Sequence, residues 1–188
     1  MDNALHLGYH YVRDEKAPGP NCSPNRLRNQ IRTLQTSGYE ILTCQEIAES
    51  IKNNRPLPEK HASLSFDDGL KDQYTTTFPI LRECGVPGTF FYITCALEGK
   101  LPPVIGFQIA INKLGAERLE REILPALLEE YGLWSYRRLL DRACFDHSEM
   151  KMGELPEFRL IKTIFNHFLP PSLQSEFIQK IFIRHIDE

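Results

Sequence analysis

The chain has 188 residues, 41% of them hydrophobic and 25% charged, and a formal net charge of −3. That length suits one domain of ordinary size, burying roughly 70% of its unfolded surface. The apolar content excludes wholesale disorder, and the small, evenly interspersed charge excludes a general nucleic-acid binder. Five cysteines, at positions 22, 44, 84, 95 and 144, form no C-x-x-C pair and match no zinc spacing, so they read as reduced thiols. The first residues lack a basic stretch followed by an apolar one, and no apolar run approaches the ~20 residues that cross a bilayer. The expectation is a cytoplasmic chain without a membrane span.

In chain order, Ala4 to Val12 reads as a strand rich in β-formers. Ser23-Pro24 supplies an N-cap and a first-turn proline, and Leu27, Ile31 and Leu34 mark one helical face that stops at Gly38. Tyr39–Leu42 is a short strand. Thr43 and Glu46 have capping-box spacing, and Ile47 and Ile51 continue the apolar stripe of the helix they open. His61–Phe66 is the next strand, broken by Asp67-Asp68-Gly69. A helix is expected from about Asp72 to Glu83, closed by Gly85, followed by a strand over Thr89–Thr94. Strands alternating with helices predict βαβ units and a parallel sheet, with ligands at the carboxyl ends of the strands.

Beyond residue 100 the pattern turns all-helical. Leu119, Ile123, Leu127 and Tyr131 recur every four residues, with Pro125 expected to kink that helix. Phe158, Ile161, Ile164, Phe165 and Phe168 form a second stripe, and Leu173, Phe177, Ile181 and Phe182 a third. The expected division is therefore an α/β part over 1–103 and a helical insertion or subdomain over 104–188.

The sharpest local feature is Leu64-Ser65-Phe66-Asp67-Asp68-Gly69 at a strand end. Alone, Asp-Asp-Gly also reads as a polar turn. Above a parallel sheet, however, adjacent carboxylates diverge, so one can ligate a metal while its neighbour faces a water. Gly69 allows the sharp backbone turn. His10 lies near the carboxyl end of the first strand, on the same side of the sheet.

Ser65-Phe66-Asp67-Asp68-Gly69 resembles the first motif, Thr-Phe-Asp-Asp-Gly, of the polysaccharide deacetylases of the NodB-homology type, carbohydrate esterase family four. Tyr9–Asp14, Gln30–Tyr39, Pro79–Leu81 and Gly85–Phe91 are similar to the family's flanking elements, so the resemblance runs over residues 5–94. It implies a distorted, partial (β/α) barrel and metal-dependent removal of N-acetyl groups from a polysaccharide or amino sugar. By position, Asp67 is implied as general base and Asp68 as ligand of a divalent metal, zinc by analogy. His10 and Gly69 are implied as supporting residues beside the substrate. The family's pair of metal-binding histidines has one counterpart here, His147, with Lys151 where the second histidine belongs.

A full barrel takes about 250 residues, so the chain is expected to hold only the front of one, as a truncated form. The partner implied is a carbohydrate substrate, and an unpaired sheet edge is expected to favour self-association. The rival reading is a non-catalytic carbohydrate-binding or assembly module on the same scaffold.

Overall fold

A parallel sheet built around one buried strand organises the first half of the protein. The structure, a computed structural model, describes residues 3–14, 21–132 and 169–186. The chain divides into two compact units, 1–98 and 99–188.

In the first unit, β1 (Ala4–Tyr9) and β5 (His61–Phe66) run parallel in register from Ala4 against His61 to Tyr9 against Phe66. The opposite flank of β5 is divided between two short strands. β4 (Glu40–Leu42) pairs with His61–Ser63, and β6 (Thr89–Phe90) pairs with Ser65–Phe66. Between them the Thr89 hydroxyl accepts from the Cys44 backbone N–H at 2.9 Å. A second, two-stranded parallel sheet joins β2 (Tyr11–Val12) to β3 (Asn21–Cys22). The α/β class and the parallel sheet expected from the alternating pattern are both present.

Alternation along β5 sorts its side chains. Ala62, Leu64 and Phe66 are buried with Leu27, Ile31 and Leu34 of α1 (Pro24–Thr36), and with Ile80 and Leu81 of α3 (Phe78–Cys84). Ser63 and Ser65 take the alternate positions, where both hydroxyls meet the His6 imidazole, at 2.8 and 3.2 Å. The helix starts follow their sequence signals. The Ser23 hydroxyl accepts from the Arg26 N–H at the head of α1, and Thr43 and Glu46 form a reciprocal capping box at the head of α2 (Cys44–Lys52). Glu46 titrates below the usual carboxylate range because the Thr43 backbone and hydroxyl donate to it.

Four expectations are corrected. The first strand breaks at His10, because its partner β5 ends at Phe66 and the chain turns away. The helix expected from Asp72 opens as a π-turn over Gln73–Thr77 and becomes regular only at α3. Pro79 explains this: it cannot donate to the carbonyl four residues back, and its ring crowds that carbonyl, so a wider turn precedes it. The strand expected over Thr89–Thr94 pairs only through Phe90, with one further bond from the Phe91 N–H to the Phe66 carbonyl, before Thr94 opens α4 (Thr94–Leu97). Ile51 of α2 is 65% exposed, so that stripe stays largely uncovered and the capping box holds the helix start.

The described part of the second unit is helical: α5 (Pro103–Leu114), α6 (Ala116–Arg118), a π-turn over Leu119–Ile123, α7 (Leu124–Glu130) and α8 (Pro171–His185). Pro125 again follows a π-turn, which takes up the kink expected of it. Phe107, Ile111, Leu119, Leu127, Phe177 and Ile181 pack into one core. On the surface Glu130 accepts from Arg184 at 2.8 Å and from Lys180, joining α7 to α8. The stripe from Phe158 to Phe168 lies outside the described residues. Among the described residues, no helix is long and apolar enough to cross a membrane.

Leu64 is fully buried at the centre of the sheet, so Leu64→Ala is expected to cost about 2–5 kcal/mol, whereas Ile51→Ala should stay within about 0.5 kcal/mol. Urea unfolding midpoints compare the two. In the second unit, hydrogen bonds from Arg184 and Lys180 pull Glu130 down to about 2. A carboxylate lowered in the folded state adds stability above its unfolded value of about 4.3, and that stability disappears as pH falls toward the folded value. Thermal unfolding followed between about pH 6 and pH 2 should therefore show wild type above Glu130→Gln at the upper end and convergence at the lower. The gap should be small, because solvent screens exposed pairs.

Candidate functional site

The first residues past β1 and β5 meet at the carboxyl end of the sheet. Beneath them, Tyr9, Phe66 and Phe90 stack across the three strands with ring centroids 5.2 and 5.0 Å apart. The Tyr9 hydroxyl donates to Gln30 of α1, and burial pushes its pKa up to about 12, so it serves as a neutral donor. This stack brings His10 and Asp67, the residues after Tyr9 and Phe66, out at one level.

Asp67 leaves β5 with its N–H donating to the Tyr9 carbonyl at 2.9 Å. Asp68 then takes φ +78°, the left-handed region, which few side chains tolerate and Asp accepts better than most. Gly69 follows at φ +65°, and a Cβ there would stand 2.7 Å from the Tyr92 Cβ. Two successive left-handed residues turn the chain back across the end of the sheet. Asp68 thereby comes within 4.0 Å of the His10 imidazole, Oδ2 to Nε2, with side-chain exposures of 14% and 36%. Burial raises the pKa of Asp68 above the ordinary value, His10 pulls it down, and the neighbouring Asp67 pushes it up. All four residues singled out from the sequence, His10, Asp67, Asp68 and Gly69, thus lie in one place. His147 lies outside the described residues.

Three further residues enter the site without a sequence signal. The Asp72 carboxylate accepts from the Val12 N–H at 2.9 Å. The Gln73 carboxamide donates to the carbonyls of His10 and Asp67. Tyr92 closes over Gly69. The sequence pattern places Asp72 and Gln73 in an ordinary helix, and nothing in a local spacing marks a side chain that reaches sixty residues back along the chain.

The donor set can be tested against a metal. Asp68 is the one ligand the resemblance implies, with the supporting His10 imidazole 4.0 Å from it, whereas a catalytic zinc takes three ligands from the protein besides its open position. Among the described residues no group of three or more His, Cys, Asp or Glu side chains could hold an ion. These residues alone therefore do not fit a zinc centre. What the arrangement offers unaided is a pair of carboxylates and an imidazole above a preorganised turn.

The model of the polysaccharide deacetylase family matches residues 54–121. The chain is 38% identical over 78 residues to the poly-beta-1,6-N-acetyl-D-glucosamine N-deacetylase of Escherichia coli K12, which takes in 40% of this chain and 12% of that protein. It is 26% identical over 107 residues to the enzyme of the same name from Staphylococcus aureus MSSA476, 50% of this chain and 37% of that one. Among solved structures, a de-N-acetylase from Aggregatibacter actinomycetemcomitans aligns with 33% identity and TM-score 0.42 over 46% of this chain and 36% of its own. The chain thus spans well under half the length of these curated relatives.

Gly69 is confined by both its φ and its neighbour, so Gly69→Ala is expected to destabilise the protein by about 1–3 kcal/mol, read from urea unfolding. Residues 54–121, with the Asp67-Asp68-Gly69 turn inside them, are the part of the chain that matches the polysaccharide deacetylase family.

Proposed function

We propose that the chain supplies part of the catalytic end of a polysaccharide N-deacetylase, acting on N-acetyl groups of an amino sugar. The observation that carries this reading is the convergence of Asp67, Asp68 and His10 at the carboxyl end of a parallel sheet, with both aspartates inside the segment that matches the family. In this reading the sheet is the front of a (β/α) barrel over 1–103, and 104–188 is a helical insertion. The rest of such a barrel, and the further donors that a divalent ion such as zinc would need, are not found among the described residues.

The chemistry assigned to the chain's own groups is proton handling. The reaction adds water to the acetamide carbonyl, breaks the C–N bond and releases acetate and a sugar amine. Asp67 is the base that takes the proton as the water oxygen attacks, and the departing amine nitrogen gains a proton as the bond breaks. Asp68 is the ligand-type carboxylate, 4.0 Å from the His10 imidazole. Removing the base should lower the rate by about 10²–10⁴-fold.

One observation favours the rival, a carbohydrate-binding module without turnover: the described residues bring together no group of three or more side chains that could hold the ion of a zinc centre. Acetate release from poly-N-acetylglucosamine oligomers, with and without added zinc or cobalt, separates the two. Turnover that Asp67→Asn abolishes supports the enzyme. Saturable oligomer binding without acetate under every metal condition supports the module and refutes catalysis by this chain.

A further inference from the structure

We propose that Gln73 is a positioning residue: its buried carboxamide ties the carbonyl of His10 to that of Asp67 and so sets the peptide that joins the two aspartates. Its place in catalysis rests on the deacetylase reading, whereas its clamping role stands on the geometry alone.

Gln73 is 2% exposed at the first position of the π-turn. A primary amide carries two N–H groups, and Nε2 spends them on two carbonyls, that of His10 at 3.1 Å and that of Asp67. Its Oε1 is buried with no hydrogen-bond partner among the described residues. A buried acceptor left unsatisfied costs stability, so an apolar side chain of the same length would suit this spot better by packing alone. What the glutamine contributes is its pair of donors.

Those donors act where the backbone is least at ease. The Asp67 carbonyl belongs to the Asp67–Asp68 peptide, whose plane sets the φ of Asp68 at +78°. The preceding peptide is also fixed, through the Asp67 N–H on the Tyr9 carbonyl. With Gln73 on the other side, Asp67 is held from both ends, and its side chain and that of Asp68 leave a turn with little freedom. The same carboxamide holds the peptide after His10, the residue facing Asp68. Asp72 repeats the stitch one residue earlier by accepting from the Val12 N–H, and the Gln73 N–H is itself bonded to the Leu70 carbonyl. The segments that carry His10 and Asp67 are thus sewn to one point at the head of the π-turn.

The test uses the full chain, labelled with ¹³C and ¹⁵N, as wild type, Gln73→Met and Gln73→Glu. Methionine keeps the length and removes both donors; glutamate keeps the shape and sets oxygen against both carbonyls. The expected result is an upfield shift of the carbonyl ¹³C resonances of His10 and Asp67 together in both variants. Amide exchange at Asp67 and Val12 should quicken by about tenfold while Leu64 in the same sheet is unchanged, a local opening in place of a global one. If acetate release is measurable, kcat should fall with KM held, since positioning is felt in the transition state. Unmoved carbonyl resonances, exchange that quickens equally at Leu64, or failure of both variants to fold would each overturn the proposal. A wild-type chain that releases no acetate counts against the deacetylase reading and leaves the carbonyl shifts to decide the clamp.

Discussion

Tyr9 faces Phe66 at the last rung of the β1–β5 ladder, and Phe90 stacks on the far side of Phe66. Stacked aromatic pairs contribute about 0.5–1.5 kcal/mol beyond the area they bury. The larger consequence here is alignment, because three strands of different length finish at one level. His10, Asp67 and Phe91 are the next residues on those strands. A slip of one residue in the parallel register would turn every side chain of β1 to the opposite face and carry His10 away from Asp68.

Beyond that level the sheet gives way to a polar weave. The Tyr9 carbonyl receives Asp67, the Phe66 carbonyl receives Phe91, and the carbonyls of His10 and Asp67 share one carboxamide. The strand ends at the site therefore keep their backbone groups satisfied after ladder pairing has stopped, which buried peptide groups require. The π-turn that delivers Gln73 has its own cause in Pro79. A proline six residues further on, placed there for the start of α3, sets the phase at which the side chain meets the two loops.

Much of this was legible in the residues. Ser23, Thr43 and Glu46 announced the helix starts because capping is local chemistry, and the alternation around β5 announced a buried strand. The Asp67-Asp68-Gly69 turn stood out only together with Ser65-Phe66, through its resemblance to a family motif, since its residue types alone are those of an ordinary turn. The length of β6 was not legible: Thr89–Thr94 has strong β character, but pairing stops where the partner strand stops, and that limit is tertiary. Gln73 was invisible for the related reason that its partners are Asp67 and His10, one of them 63 positions away. Ile51 shows the opposite failure, a correct apolar period on a face that stays largely exposed.

The left-handed turn at Asp68 narrows what position 68 can be. Backbone geometry there admits glycine, asparagine and aspartate with least strain, while the ligand role proposed for Asp68 asks for a carboxylate. Only aspartate satisfies both demands. Glutamate, nearest in chemistry, is foreign to the conformation; asparagine, foreign to the chemistry, fits the conformation. Substitution tables rank these two replacements by side-chain likeness, and at this position the peptide backbone reverses the order.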